Sequence, residues 1–359
     1  MFKEFLQKYN LDEKRIAVGV SGGSDSLALA LMLNDELAPS GYNIIAVTVD
    51  HRLRPTSAQE AETVAKIMKQ NNIEHHTLVW NKDFTPETGI EEAARIARYN
   101  LLKNWCEQNG VKVLMMAHHL NDQIETFFIR LQRGSGLDGL CGMQESVMHN
   151  NLQIMRPLLY TDPQIMKNYL KLRNITWIED ESNACDDFLR VKIRKFLPQF
   201  YAATDITPKR IGETMRRLLS SRNYLEHKCE QIISNSFKNR FGYGYSCALS
   251  VFLSFDNEME FRILARLLRQ VGNNEYTPRA ESVINLINDI RNSTFKSATL
   301  AHCYVGLSNK TLWILPENYN TGNYTRKAWE DYEKINPAIK KQKLPLRLRV
   351  FILNHPEVM

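Results

Sequence analysis

No apolar run in this 359-residue chain approaches the roughly 20 residues that a membrane-spanning helix needs. The first residues, Met1-Phe2-Lys3-Glu4-Phe5, mix both charge signs and lack the apolar core of a signal peptide. A cytoplasmic protein without a membrane association is therefore expected. Cysteine is sparse: six are present, at 106, 141, 185, 229, 247 and 303, and no two form a C-x-x-C pair. That spacing argues against a disulfide framework and against a structural zinc site. There is no internal repeat, no low-complexity tract, and no G-x-x-x-x-G-K-[ST] string of the Walker type. An excess of one charge sign is also nearly missing, because the net charge is only +6. Such a balance permits a polyanionic partner without requiring one.

The placement of charge says more than its sum. Arg190, Lys192, Arg194 and Lys195 lie together. Lys209, Arg210, Arg216, Arg217 and Arg222 follow, and Lys340, Lys341, Lys343, Arg347 and Arg349 cluster near the end. Any one group could be a solvated helix face. Three groups after residue 185 point to contact with nucleic-acid phosphates.

The order of elements points to an α/β fold. Short apolar runs at 16–20, 44–49, 75–80 and 111–116 read as strands. Helical periodicity falls between and after them, at 27–37, 57–70, 90–108 and 120–132. This alternation predicts a parallel sheet with helices on both faces. Ligands of such sheets bind at the carboxyl ends of the strands. That rule directs attention to 21–26, to Asp50 and His51, and to 117–119. Beyond about residue 200 the pattern changes. Helices are expected over 207–237 and over 258–292, the latter broken near Gly272, and strands over 298–305 and 311–315. These describe a smaller α+β domain. The division is read as a first α/β domain over 1–204, a nucleic-acid-binding domain over 205–317, and a short tail or reduced domain over 318–359.

Ser21-Gly22-Gly23-Ser24-Asp25-Ser26 lies between a strand and a helix. Two glycines allow a tight turn and close backbone approach to a ligand. The helix start adds its positive end, and Ser21, Ser24 and Ser26 add hydroxyls. The loop suits pyrophosphate. Asp25 is out of place beside an anion unless it holds Mg²⁺. The plain alternative is a Ser/Gly turn that caps a helix. A second string, Gly134 to Gly139, satisfies G-x-G-x-x-G. It follows a helix, not a strand, so it fails the dinucleotide-binding context and reads as a flexible basic loop.

After the fourth strand comes His118-His119-Leu120-Asn121-Asp122-Gln123-Ile124-Glu125-Thr126. On a helix, His118 and Asp122 share a face and Glu125 joins them. The set suits carboxylate contacts to Mg²⁺–phosphate, with His118 as a donor to phosphate or as a proton acceptor. A polar helix start capped by Asn121 or Asp122 is the bland reading.

The phosphate loop resembles the signature of the PP-loop ATP pyrophosphatase superfamily. Further segments narrow the resemblance: His51-Arg52-Leu53-Arg54 with Ser57; 91–99, with Glu91, Arg95 and Arg98; 117–126; Arg133-Gly134-Ser135-Gly136; Arg156-Pro157-Leu158-Leu159; and Glu179 to Asn183 with Arg190 and Arg194. In that order they resemble the tRNA(Ile)-lysidine synthetase family, strongly from 14 to about 200 and more weakly to 317. The chain departs from the family pattern at Asn121, where an aspartate is usual, and at Val191, where an asparagine is usual.

The resemblance implies an adenine nucleotide alpha hydrolase-like fold and ATP with Mg²⁺ as cofactors. It implies tRNA(Ile) with a CAU anticodon and free L-lysine as substrates, and leaves room for a homodimer. ATP would adenylate the wobble cytidine at position 2, and lysine would displace AMP. The implied catalytic residues are Asp25, His118, Asp122 and Arg190. Residues 21–26 would bind ATP, and Asp25 and Asp122 would hold the metal. Other PP-loop chemistries remain as alternatives, as does a tRNA-binding protein with a relict nucleotide site. Thiolases commonly need paired cysteines, and glutamine-dependent relatives need an amidotransferase domain; neither is found here.

Overall fold

The computed structural model describes residues 1–53, 55–80, 90–179, 189–240, 242–317, 325–336, 339 and 344–354. Arg54, residues 180–183, Cys185, Lys340, Lys341 and Lys343 lie outside the described residues. The chain forms two compact units, Met1–Ser220 and Ser221–Met359.

The first unit opens with α1 (Phe2–Lys8), β1 (Arg15–Gly19), α2 (Ser24–Leu37), β2 (Asn43–Asp50), α3 (Ser57–Gln70), β3 (Glu74–Val79), α4 (Ile90–Gln108), β4 (Val113–Met115) and α5 (Leu120–Gln132). There follow α6 (Leu137–Leu140), β5 (Ser146–His149), β6 (Leu152–Met155), α7 (Pro163–Leu172) and α8 (Leu189–Thr204). A long helix, α9 (Pro208–Ser236), runs across the boundary between the units. The sheet order is β3-β2-β1-β4-β6-β5. All neighbours pair parallel except β5, which is antiparallel to β6. The expected parallel sheet is present, with one antiparallel strand added at an edge. The cause is local: Asn150 adopts φ 51° and lets the chain reverse in two residues.

Strand β1 shows why the sheet is covered twice. Ile16 and Val18 pack with Phe2 and Leu6 of α1, Leu27 and Leu31 of α2, and Met166 and Leu170 of α7. Ala17, between them, packs with Leu102 and Trp105 of α4 on the opposite side. This is the two-residue side-chain alternation of a strand buried on both faces. The chain walks outward from β1 to β3, then returns to the other side of β1 at β4. That reversal opens a crevice between the carboxyl ends of β1 and β4.

In the second unit, β7 (Lys238–Arg240), β8 (Gly244–Ala248), β9 (Ser297–Leu300), β10 (Cys303–Ser308) and β11 (Thr311–Pro316) form an antiparallel sheet of order β7-β8-β11-β10-β9. The single strand expected over 298–305 is two strands. Ala301 and His302 turn at φ 52° and 59°, a pair of positive values that the residue types do not announce. Helices α10 (Leu249–Phe252), α11 (Asn257–Val271) and α12 (Ala280–Arg291) pack on one face. Strand β11 sends Leu312 and Ile314 to that face, and Trp313 and Leu315 to the other. The other face is covered by α13 (Arg326–Ile335) and the helix Leu346–Asn354, through Trp329, Leu348 and Ile352. Residues beyond 317, which read poorly as sequence, therefore complete a core.

Arg347 and Arg349, grouped above with a basic cluster, serve this packing. Arg347 donates to the carbonyls of Pro316 and Glu317 and lies over the Tyr304 ring. Arg349 donates to the Leu344 carbonyl at 2.6 Å and lies over Trp329. The five described cysteines are buried, and among the described residues no helix is long and apolar enough to cross a membrane.

Candidate active site

The loop after β1 is built around backbone that only glycine adopts easily. Gly22 sits at φ +90°, and a Cβ there would lie 2.6 Å from Cδ1 of Ile178, whose N–H donates to the Gly22 carbonyl at 3.0 Å. Gly23 is the N-cap of α2, and no side chain caps the helix. The two outer serines cinch the loop. Ser26 Oγ accepts from the Ser21 N–H at 3.1 Å and lies 3.2 Å from Ser21 Oγ. It also donates to the Gly23 carbonyl at 3.2 Å. Residues 21–26 thus form a shaped cradle at a positive helix end, the arrangement that favours phosphate.

The loop after β4 faces it. His119 Nε2 lies 3.6 Å from Asp25 Oδ2 and 3.5 Å from Asp122 Oδ2, so the second histidine of the pair, not His118, bridges the two carboxylates. Asp122 also accepts the His119 N–H at 3.0 Å, which orients it at the start of α5. Burial pushes the Asp25 carboxyl up from its ordinary value, against the pull of His119. Burial acts the same way on Asp122, but His119, His118 and Arg190 outweigh it and hold that carboxyl below its ordinary value. Two neighbouring carboxylates are pushed in opposite directions, as groups with different tasks often are.

His118 lies deeper. Burial drives it down to about 3, assisted by Arg156, Arg98 and Arg190 and opposed by Asp122. It is a neutral imidazole at physiological pH. Arg190 donates to Glu125 at 2.7 Å and approaches Asp122 Oδ1 at 3.6 Å, and Arg194 donates to the other Glu125 oxygen at 2.7 Å. Glu125 is 1% exposed, so α5 and α8 are joined through one buried carboxylate held by two guanidinium groups.

Several buried polar atoms at this end of the sheet have no protein partner: Asp25 Oδ1, His51 Nδ1, Arg98 Nε, His118 Nδ1, His119 Nδ1 and Arg156 Nε. Most buried polar groups are satisfied, so such a concentration marks a place built for something else to bind. Of the two arginines noted on α4, Arg98 turns inward while Arg95 is exposed. His51, at the end of β2, meets the Trp80 ring edge-on at 5.9 Å.

Arg156 follows β6, a strand of four residues whose alternation is too short to read from the sequence, so the strand-end rule alone does not reach it. A lock behind the site positions Arg156. Gln123, fully buried, accepts from the Met143 N–H at 2.6 Å and donates to the Met143 carbonyl at 2.9 Å. The next carbonyl, of Gln144, receives Arg156 Nη1 at 3.0 Å. Arg130, two further turns along the same face of α5, donates to the carbonyls of Gly139 and Gly142. The glycine-rich segment that reads as a flexible loop is therefore clamped to α5.

A phosphate cradle at the first turn of α2, opposed carboxylates at a topological switch point, and inward-facing arginines define an ATP-using protein of the PP-loop class. The model of the PP-loop domain matches residues 1–200. The tRNA(Ile)-lysidine synthase of Wolbachia pipientis wMel is 33% identical over 89% of this chain and 74% of its own length. That of Orientia tsutsugamushi (strain Boryong) is 34% identical over 85% of this chain and 70% of its own. The solved U34-tRNA thiolase NcsA from Methanococcus maripaludis superposes on 61% of this chain and 78% of its own, with TM-score 0.49 and 16% identity. The chain belongs to the tRNA(Ile)-lysidine synthase family.

Proposed function

We propose that this protein joins free L-lysine to position 2 of the wobble cytidine in a tRNA(Ile) with a CAU anticodon, consuming ATP and releasing pyrophosphate and AMP. The observation that carries the reading is the set of unpartnered buried atoms around Asp25, His118 and Arg156, in a chain of this family. In the first step the cytidine O2 bonds to the α-phosphorus and pyrophosphate leaves. In the second, the lysine ε-amine bonds to C2, the C2–O2 bond breaks, and AMP departs with that oxygen. The amine loses its protons in forming the C–N bond.

Residues 21–26 grip the phosphates through backbone N–H groups and the end of α2. His118, neutral, offers one hydrogen bond without adding charge. Arg190, Arg98 and Arg156 supply fixed positive charge where negative charge develops. Mg²⁺ fits the remaining donors: Asp25 Oδ1 is buried without a partner, and Asp122 is held ionised nearby. Among the described residues no group of three or more His, Cys, Asp or Glu is arranged to hold a metal ion. Asp25 and Asp122 would therefore share the ion with phosphate and water oxygens, a common Mg²⁺ arrangement. Bound there, the ion would offset charge on the leaving pyrophosphate.

The tRNA reading extends to residues 205–317, where Lys209, Arg210, Arg217 and Arg222 of α9 would face the RNA backbone. Such an enzyme works where tRNA is processed, in the cytoplasm, as a monomer or a homodimer. The test is a nucleoside mass assay with ATP–Mg²⁺, lysine and an unmodified tRNA(Ile) transcript bearing CAU. The expected product is cytidine heavier by one lysine less one water. AMP without that product would redirect the reading to another acceptor; neither product, with tRNA bound, would support the relict-site alternative.

A further inference from the structure

Helix α8 does more than deliver Arg190 and Arg194 to Glu125. Its inward residues Val191 and Leu197 are 8% and 5% exposed, whereas Phe196, between them in sequence, is 48% exposed. The ring is not loose. It lies 5.8 Å from Phe200 at 37°, and Phe200 meets Phe128 of α5 edge-on at 5.5 Å. An exposed phenyl ring is thus braced through a second ring onto the helix that carries Asp122 and Glu125. Lys192 and Lys195, both exposed, flank it, and α8 contains no carboxylate side chain. Phe196 is six residues from Arg190, about 9 Å along the helix axis, roughly the reach of one or two nucleotides.

A single exposed apolar residue is ordinary on a protein surface. A rigid, braced ring within an acid-free basic strip beside a site for a base is the composition of a stacking platform for single-stranded RNA. We infer that Phe196 stacks an unpaired anticodon-loop base next to the target cytidine, while Lys192 and Lys195 hold the adjoining phosphates. This rests on the tRNA reading above and deepens it by naming where the loop lies. The contact tolerates any base, because every base presents a π-face.

The test uses the full chain and the unmodified tRNA(Ile) transcript, with a fluorescent purine analogue placed beside the anticodon. Phe196→Ala should weaken binding by roughly tenfold and leave its salt dependence unchanged, because a neutral contact is lost. Phe196→Trp should restore affinity and quench the analogue as the wild type does. The Lys192→Ala/Lys195→Ala variant should lower the slope of affinity against salt while quenching persists. Wild-type affinity and quenching in folded Phe196→Ala would overturn the inference, and so would Phe196→Trp behaving as the alanine variant. If the wild type itself neither binds nor modifies the transcript, the tRNA reading fails first. If the wild type is active and Phe196→Ala is unchanged, only the platform fails.

Discussion

The two units treat buried charge in opposite ways. In the second, Arg262 is nearly buried, and it donates to Glu226 and Glu258 at 2.7 Å. Arg266 adds bonds to Glu226 and Glu230, and Arg291 reaches the buried Glu260 at 2.5 Å. In the first unit, the carboxyl end of the sheet leaves Asp25, His118, Arg98 and Arg156 with buried atoms that no protein group satisfies. A satisfied network sets a fold, and an unsatisfied one waits for a ligand. Exposure alone would not separate them.

The largest effect that could break this comparison is at Asp25. Asp25→Asn keeps shape and removes charge, so product formation in the mass assay should fall at least about a thousandfold. The thermal midpoint should stay level or rise, because burial already opposes the charge that the substitution removes. A lowered midpoint with residual activity would mean that Asp25 is structural.

The mirror experiment is Arg262→Met, which leaves Glu258 without this partner and Glu226 with Arg266 alone. It should cost about 3 kcal/mol in urea unfolding, at the lower end for a broken buried pair because the glutamates are partly exposed. A loss under about 1 kcal/mol would place this network with ordinary surface pairs.

Gln123→Leu lies between the two cases. It leaves both polar groups of Met143 unsatisfied, at about 2 kcal/mol. It should also reduce turnover more than ATP binding, because it frees the Gln144 carbonyl that aims Arg156. Equal loss in both readouts would reduce the lock to a packing element.

The last effect is absent at neutral pH and emerges only in acid. Folding holds His118 at about 3, below its ordinary 6.5. The unfolded chain therefore takes up a proton there that the folded chain refuses. The contribution is nil above pH 6.5 and destabilises progressively as pH falls toward 3, by up to about 1.4 kcal/mol per pH unit. His118→Gln should flatten the acid limb of the first unit's stability, followed by hydrogen exchange. An unchanged slope would show that His118 is not buried neutral.

Much of the first unit was legible because its signals are local. Helices over 57–70, 90–108 and 120–132 have the bounds that periodicity predicts, and the phosphate loop stands where strand gives way to helix. The β5–β6 hairpin was not legible, since four-residue strands joined at Asn150 and Asn151 leave too little alternation to read. Nor was the turn at Ala301 and His302, where tertiary pairing imposes a conformation that the residues do not prefer. At the site, strand-end logic found both loops but could not choose between adjacent histidines. His119, the extended residue that caps α5, meets Asp25, and adjacent residues of an extended segment point to different sides, so only packing settles which histidine does so.

The segment from Gly134 to Gly139 carries a last consequence. As a character string it matches a dinucleotide-binding fingerprint, yet it begins at the carbonyl end of α5, where Arg130 gathers the carbonyls of Gly139 and Gly142. A phosphate placed at that helix end would meet a field of the wrong sign. A glycine pattern therefore has a polarity that spelling omits. Pattern searches that record which terminus of a long helix the glycines adjoin would pass Gly22 and Gly23, at the start of α2, and reject Gly134, at the end of α5, without any relative to compare.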